Sequence, residues 1–401
     1  MNASPRHVLI AGAGVGGLET ALALRALARD HVSVELVAPE DEFLYRPLSV
    51  AEPFGAAETR RFPLRSLAHA ASAELRQGNV IAADPELKTV TLDDGTDVAY
   101  DVLVLALGAQ TREAVGGAIT FRGAQDVAAI AALLERATGG DMTRLVFAVP
   151  PAATWPLPLY ELALLTAEYL SGRGTRGVHI TLATPEDRPL GLFGVEASDA
   201  IRELLEIRSI DIRAGVVPVG WSRGALQLAG DQWLEADAVV ALPRLYGPKL
   251  AGIPSDRDGF VATDEFGWVL GLTDVYAVGD MTQVTVKQGG LAAAHADAAA
   301  TAIAADAGAA VRPAPFRPIL RGVLLTGLTP RYLRAEVGKG QSLVDTEPLW
   351  WPPAKIVGRY LTPFLAEHLG LSDTSIEEPR RHGIPVEVEL ETTQHRSWAP
   401  V

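Results

Sequence analysis

The stretch HVLIAGAGVGGLETALALRALA, residues 7 to 28, constrains this chain more than any other. An apolar strand, His7 to Ala11, runs into Gly12, Gly14 and Gly17 in GxGxxG spacing. An amphipathic helix is expected next, with Leu18, Ala21, Leu22 and Ala26 on inner faces. Each glycine has its own task. Gly12 permits the tight turn, Gly14 lets a pyrophosphate approach the backbone, and Gly17, with Ala21, allows the helix to pack close to the strand. Amides at the helix start, with the positive end of its dipole, then face the phosphates. A second strand, VSVELVA, ends at Ala38, where an acid would bind a ribose hydroxyl; Glu40, two residues on, is the nearest substitute. GxGxxG by itself is a weak signal. A strand before it, and a helix and a second strand after it, make this a dinucleotide-binding unit.

TDVYAVGD, residues 273 to 280, is a second strong signal: an apolar strand that ends in a glycine and then Asp280. Lys287, Gln288, Gly289 and Gly290 follow, and then the helix LAAAHADAAATAIAA. Amides at that helix start would stabilise an anion formed beside them, and Lys287 adds a positive charge. The bland alternative for Lys287 is a solvated surface lysine. YDVLVLALGA (100 to 109), GNVIAADPELKTVTLDDG (78 to 95) and DEFLYRPL (41 to 48) complete the set.

In this order and spacing the pieces resemble the two-dinucleotide-binding-domain flavoproteins, the pyridine nucleotide–disulfide oxidoreductase superfamily, over residues 5 to 310. The nearest branches are type II NADH dehydrogenases and sulfide:quinone oxidoreductases, including flavocytochrome c sulfide dehydrogenase. The resemblance implies FAD as cofactor. Gly12, Gly14, Gly17 and Glu40 would hold its adenosine diphosphate, and Val80 would touch adenine through its backbone. Gly108 would close the first lobe, where Leu107 replaces the usual threonine. Arg46 would be a further cofactor contact, Pro47 would lie under the flavin ring, Asp280 on the ribityl chain, and Lys287 and Gln288 at the pyrimidine edge. It also implies an α/β fold of two Rossmann-like domains. Residues 1–110 and 246–312 would form a split FAD domain, 111–245 an inserted NAD(P)-like domain, and 313–401 a C-terminal α+β region serving as interface or lid.

The inserted domain departs from that pattern where it opens. VPPAATWPLPLYE, residues 149 to 161, stands where a second glycine loop would cradle NAD(P)H, and it has four prolines and no glycine. Pro150, Pro151, Pro156 and Pro158 offer no amide donors, and their rings obstruct close backbone approach. The next strand, VHITLATPE, shows no acid or arginine suited to a nicotinamide ribose. The loop resembles the proline-rich segment of the sulfide branch, with Trp155 where that branch has a cysteine and Tyr160–Glu161 at its end. Trp155 and Tyr160 are candidate substrate contacts, although the plainer reading of Trp155 is that it fills the space of an absent thiol. Glu161 is a candidate proton relay to a quinone or other two-electron acceptor, or else a first-turn glutamate stabilised by the helix dipole.

The 401 residues include no cysteine, which removes thiol chemistry, disulfides and cysteine metal sites together. No metal-ligand spacing joins the scattered histidines, and none is expected. The net charge of −14 argues against nucleic acid as a partner. No apolar run approaches the ~20 residues that span a bilayer, and MNASPRH has no signal-peptide core, so a cytoplasmic protein is the expectation. Between Arg312 and Arg359, eight Lys/Arg face three Asp/Glu. Trp350, Trp351, Tyr360 and Phe364 mix there with Lys355 and Arg359. This composition suits peripheral membrane contact through 345–369, a homodimer interface or a lid over the flavin. IPVEVELE, near the end, alternates as an edge strand would.

These readings converge on an FAD-dependent oxidoreductase that moves two electrons between a small organic donor and a quinone-like or other acceptor. An NAD(P)H-driven reductase of the same fold is the alternative, and a non-catalytic flavin-binding subunit is a third.

Overall fold

The computed structural model describes residues 4–336 and 342–369; the alternating IPVEVELE segment lies outside them. Two five-stranded parallel sheets organise the chain. In the first, Arg6–Ala11 sits at the centre, between Val32–Ala38 and Val102–Leu105, with Glu74–Gln77 and Val275–Ala277 at the edges. The chain therefore leaves this sheet after Leu105 and returns to it at Val275. The second sheet runs Ile119–Thr120, Ala238–Ala241, Arg144–Ala148, His179–Ala183, Ile210–Arg213. Near-continuous apolar strands such as VLVL and AVVA are buried on both faces, as parallel sheets with helices on each side require. The two sheets are linked by an antiparallel ribbon in which Gln110–Arg112 pairs with Arg244–Tyr246. A third, antiparallel sheet, Ile319–Leu324, Arg331–Glu336 and Ser342–Asp345, adds Leu320, Leu324 and Leu333 to the core of the second unit.

The glycine-loop helix, Val15–Ala28, differs from the expected amphipathic one. It is buried nearly all round, including Glu19 and Thr20, and Ala26 faces solvent beside Arg25. The reason is its position: the sheet lies on one side, and the return helix Gly289–Asp306 and the last helix Leu361–Leu369 pack on others. A helix enclosed in this way carries little period-3.6 contrast to read.

The aromatic C-terminal segment is mostly packed inward. Trp350 is buried, meets Tyr332 edge-on at 5.4 Å and donates from Nε1 to the Ala354 carbonyl at 3.0 Å. Tyr360 and Phe364 are half-buried against the glycine-loop and return helices, and Trp351 alone of the four is exposed. Core packing thus accounts for three of the four aromatics in which the composition suggested a membrane face. Among the described residues, no helix is long and apolar enough to cross a membrane.

Candidate functional site

A cleft of about 1400 Å³ runs from the first glycine loop to the seam between the two parallel sheets and the C-terminal segment. This exceeds the ~300–1,000 Å³ of an ordinary small-molecule site, so there is room for a dinucleotide and a second reactant. One wall is the glycine loop. Gly12 has φ +104, and a Cβ on it would overlap the Ala106 carbonyl; a Cβ on Gly17 would overlap the carbonyl oxygen of Gly12. Gly14 differs from both, because a Cβ there would meet nothing within 4 Å and would point into open space. The helix that follows has no side-chain cap and no acid in its first turn. Its leading amides therefore have no side-chain competitor for an anion in the cleft.

Arg46, Pro47, Val80, Gly108, Glu40, Asp280 and Gln288 all line the same cleft. Asp280 stands on the short turn after Val275–Ala277. Burial pushes its carboxyl up, while the charges of Lys287 and Arg46 and the amide of Gln288 pull it back. Lys287 is no surface lysine: it is buried, donates from Nζ to the Thr282 carbonyl and lies 4.0 Å above the Phe260 ring. Desolvation lowers its pKa to about 8, against the opposing pull of Asp280 and Asp256. Gln288 caps the return helix, its Oε1 accepting from the Leu291 amide at 2.8 Å. The cradle thus fits a dinucleotide cofactor: a gap that a Cβ would fill at Gly14, uncapped amides beside it, and a carboxylate and an ammonium at the far end.

The opposite wall is the proline loop. The helix starts at Leu157, so Pro156 and Pro158 occupy its leading positions, where a missing N–H costs little. Leu159 N–H already bonds the Pro156 carbonyl at 2.9 Å, which leaves few donors for a second pyrophosphate. Trp155 faces the cleft, edge-on to Phe193 at 5.7 Å, and rests on Gly322. A Cβ on Gly322 would sit 2.8 Å from Leu157 Cδ1 and 2.9 Å from Phe193 Cζ, so a larger residue there would have to displace these side chains.

Glu161 and Tyr160 part company. Glu161 lies beyond the first helical turn, so the dipole reading fails; it is 1% exposed at the cleft wall. Its Oε1 and Oε2 accept from Lys355 Nζ at 2.6 and 2.8 Å, and Oε1 also accepts from the Leu325 amide at 2.9 Å. Burial pushes this carboxyl up, and the Lys355 ammonium pulls it back. Tyr160, one residue earlier, points away from the cleft into the core of the second unit, so it is not a substrate contact. Its hydroxyl donates to Glu186 Oε2 at 2.7 Å, and Thr184 Oγ1 donates to the same oxygen at 2.9 Å. Glu186 is an acid just after the strand His179–Ala183, and the sequence pattern alone does not single it out. Its Oε2 is nonetheless taken up inside the protein rather than offered to a ribose.

Sequence reasoning also missed Lys355 as a site residue, along with Gly322, Val323 and Ile356, all of which line the cleft from the C-terminal segment. Lys355 had been noticed only as a charge among aromatics. A buried partner 194 positions away leaves no local pattern.

Comparison with known proteins agrees with this fold. Residues 6–142 match the family described as pyridine nucleotide-disulphide oxidoreductase. That match spans less than half of the chain, and the chain as a whole shares the two-Rossmann fold of the solved structure described below. The sulfide-quinone reductase of Aquifex aeolicus (strain VF5) is 30% identical over 213 residues, which are 50% of this chain and 48% of that protein. The match thus spans about half the length of that relative. The ferredoxin reductase component of chlorobenzene dioxygenase from Cupriavidus sp. (strain PS12) is 25% identical over 297 residues, 71% of this chain and 69% of the relative. In three dimensions, the sulfide:quinone oxidoreductase of Aquifex aeolicus superposes with a TM-score of 0.78 at 18% identity, over 91% of this chain and 95% of that one.

Proposed function

We propose that this protein is an FAD-dependent oxidoreductase that passes two electrons between a small organic donor and a quinone-like acceptor. The observation that carries this reading is the single cleft lined both by the glycine-loop cradle with Asp280 and by the apolar wall of Trp155 beside the Glu161–Lys355 pair. When bound, FAD supplies a ring that takes up and returns an electron pair. The protein's own residues would bind, orient and manage protons. Gly12, Gly14 and Gly17 would admit the pyrophosphate to the leading amides of the helix, Val80 would offer backbone to adenine, and Asp280 would accept from ribityl hydroxyls. Lys287 and the start of the return helix would set positive charge beside a bound flavin and favour its reduced form. Glu161 and Lys355 keep an exchangeable proton at the cleft wall, next to a slot whose Trp155 and Val323 suit a flat, apolar acceptor. The relatives named for quinone reduction support that acceptor class. The absence of cysteine removes the thiolate that sulfide chemistry would need.

The engagement of Tyr160 with Glu186 and the prolines around Trp155 argue against NAD(P)H as donor. The test is anaerobic mixing of the FAD-loaded protein with NADH and with NADPH, followed by a panel of hydroquinones and quinones. Slow or no bleaching by the nicotinamides, with rapid exchange of electrons with the quinone couple, is the expected result. Fast bleaching by NADH would move the assignment to an NAD(P)H-driven reductase. A bound flavin inert to every donor would move it to a flavin-carrying subunit.

A further inference from the structure

We infer that the indole N–H of Trp155 is a hydrogen-bond donor held open for an oxygen of the second reactant. Trp155 is then a specificity-determining residue for a flat molecule that carries a carbonyl. The inference rests on the quinone-like acceptor proposed above and adds the atom that would recognise it. Tryptophan N–H groups taken out of water ordinarily find a partner. In this chain, three do so on backbone carbonyls: Trp221 Nε1 donates to Ala236 at 2.8 Å, Trp268 to Leu272 at 2.6 Å and Trp350 to Ala354 at 3.0 Å. Trp233 and Trp351 are exposed and face water. Trp155 is the exception among the described residues. Its ring is half-buried, yet Nε1 meets no acceptor there and is not one of the polar atoms sealed from solvent.

The ring is held where it is. Its Cη2 end lies against Gly322, 3.5 Å from where a Cβ would stand, and its plane meets that of Phe193 at 61°. The loop that carries it is tied just before Trp155. Thr154 Oγ1 accepts from the Lys287 amide at 3.3 Å, and the Ala153 amide donates to the Pro150 carbonyl at 3.1 Å. Pro156 follows at once, and its ring fixes φ. A donor placed in this way loses little freedom when a ligand binds.

The surroundings decide what the donor is for. The neighbouring cleft-lining side chains of Leu157, Pro158 and Val323 carry no hydrogen-bonding group. Glu161 is committed to Lys355 and to the Leu325 amide. A flat hydrocarbon in this slot would gain apolar contact but would cover the indole N–H without offering it an acceptor. The same ring bearing a carbonyl oxygen would satisfy it. A site with a placed hydrogen-bonding group rejects the analogue that lacks the matching atom, because its own polar group is left unpaired. One neutral N–H···O bond corresponds to roughly 5–10-fold in affinity. Indole is a donor that keeps its proton, so its part is recognition, and proton transfer stays with Glu161 and Lys355.

The experiment measures binding rather than turnover, on the oxidised, FAD-loaded protein with no electron donor present. Equilibrium dialysis compares naphthoquinone with naphthalene, a ring system of similar outline without the oxygens. The absence of cysteine spares the quinone from thiol addition. The native protein should prefer naphthoquinone. Trp155→Phe keeps an aromatic wall and deletes the N–H, and should cut that preference roughly 5–10-fold, since lost stacking weakens both ligands alike. Replacement of Trp155 alone by benzothienylalanine puts sulfur in place of the N–H within a ring of the same shape. It should cut the preference equally and leave naphthalene affinity at the native value. Naphthalene binding and flavin absorbance per mole of protein show that the cleft of each variant is intact. A native protein that binds the two ligands equally, or a preference that survives in the benzothienylalanine protein, overturns the inference. In that second case naphthoquinone still binds, and the quinone-like acceptor stands. A native protein that takes up no naphthoquinone overturns the acceptor reading as well.

Discussion

Gly14 and Gly17 belong to one motif, yet they should fail in different ways. Gly17→Ala drives a methyl into the Gly12 carbonyl and should destabilise the fold by about 1–3 kcal/mol or more, read as a lowered urea midpoint. Gly14→Val places its side chain in open space, so the folded protein should survive with an unchanged midpoint and lose bound flavin instead. Flavin absorbance per mole of protein checks the second result. Tyr160→Phe should leave substrate kinetics alone and cost about 1 kcal/mol of stability through the hydrogen bond lost by Glu186. The glycines were readable in the sequence because the turn that demands them is local. Tyr160 was not, because its meaning depends on which side of a helix faces the cleft, and an adjacent residue sits 100° round the axis.

Among the elements, the proline-loop helix and the C-terminal segment are tied by the Glu161–Lys355 pair. Lys355→Met strands a buried carboxylate and should cost about 3–5 kcal/mol, whereas the double change Glu161→Leu with Lys355→Met should recover most of that loss. Equilibrium unfolding of the three proteins decides it. The return helix carries a pH response of its own. Lys287 gives up its proton at about pH 8, below the usual lysine range, because it is desolvated. Its charged form is the one that attracts an anionic cofactor, so FAD affinity should weaken as pH rises past about 8. Lys287→Met should bind more weakly and show no such inflection, as followed by quenching of flavin fluorescence. The helix and strand order around both glycine-rich turns was visible in advance, since apolar strands buried on two faces announce themselves. The glycine-loop helix was misjudged because enclosure by other helices erases the polar face that marks an amphipathic one.

At the level of the whole molecule, a dinucleotide lying along the cleft would touch the first sheet, the proline loop and the C-terminal segment together. FAD at 100-fold over its dissociation constant should therefore raise unfolding free energy by ~2.7 kcal/mol, a gain that Gly14→Val abolishes. Calorimetry of the cofactor-free and loaded forms measures it. The ribbon between the two sheets has one more implication. Gln110 and Tyr246 are cross-strand neighbours, so the polypeptide enters and leaves the middle unit at a single point. A module with adjoining ends can be grafted in or traded for another by one recombination event, without breaking any strand of the host sheet. An ancestor could thus have traded this middle unit wholesale while the glycine-loop cradle passed down untouched.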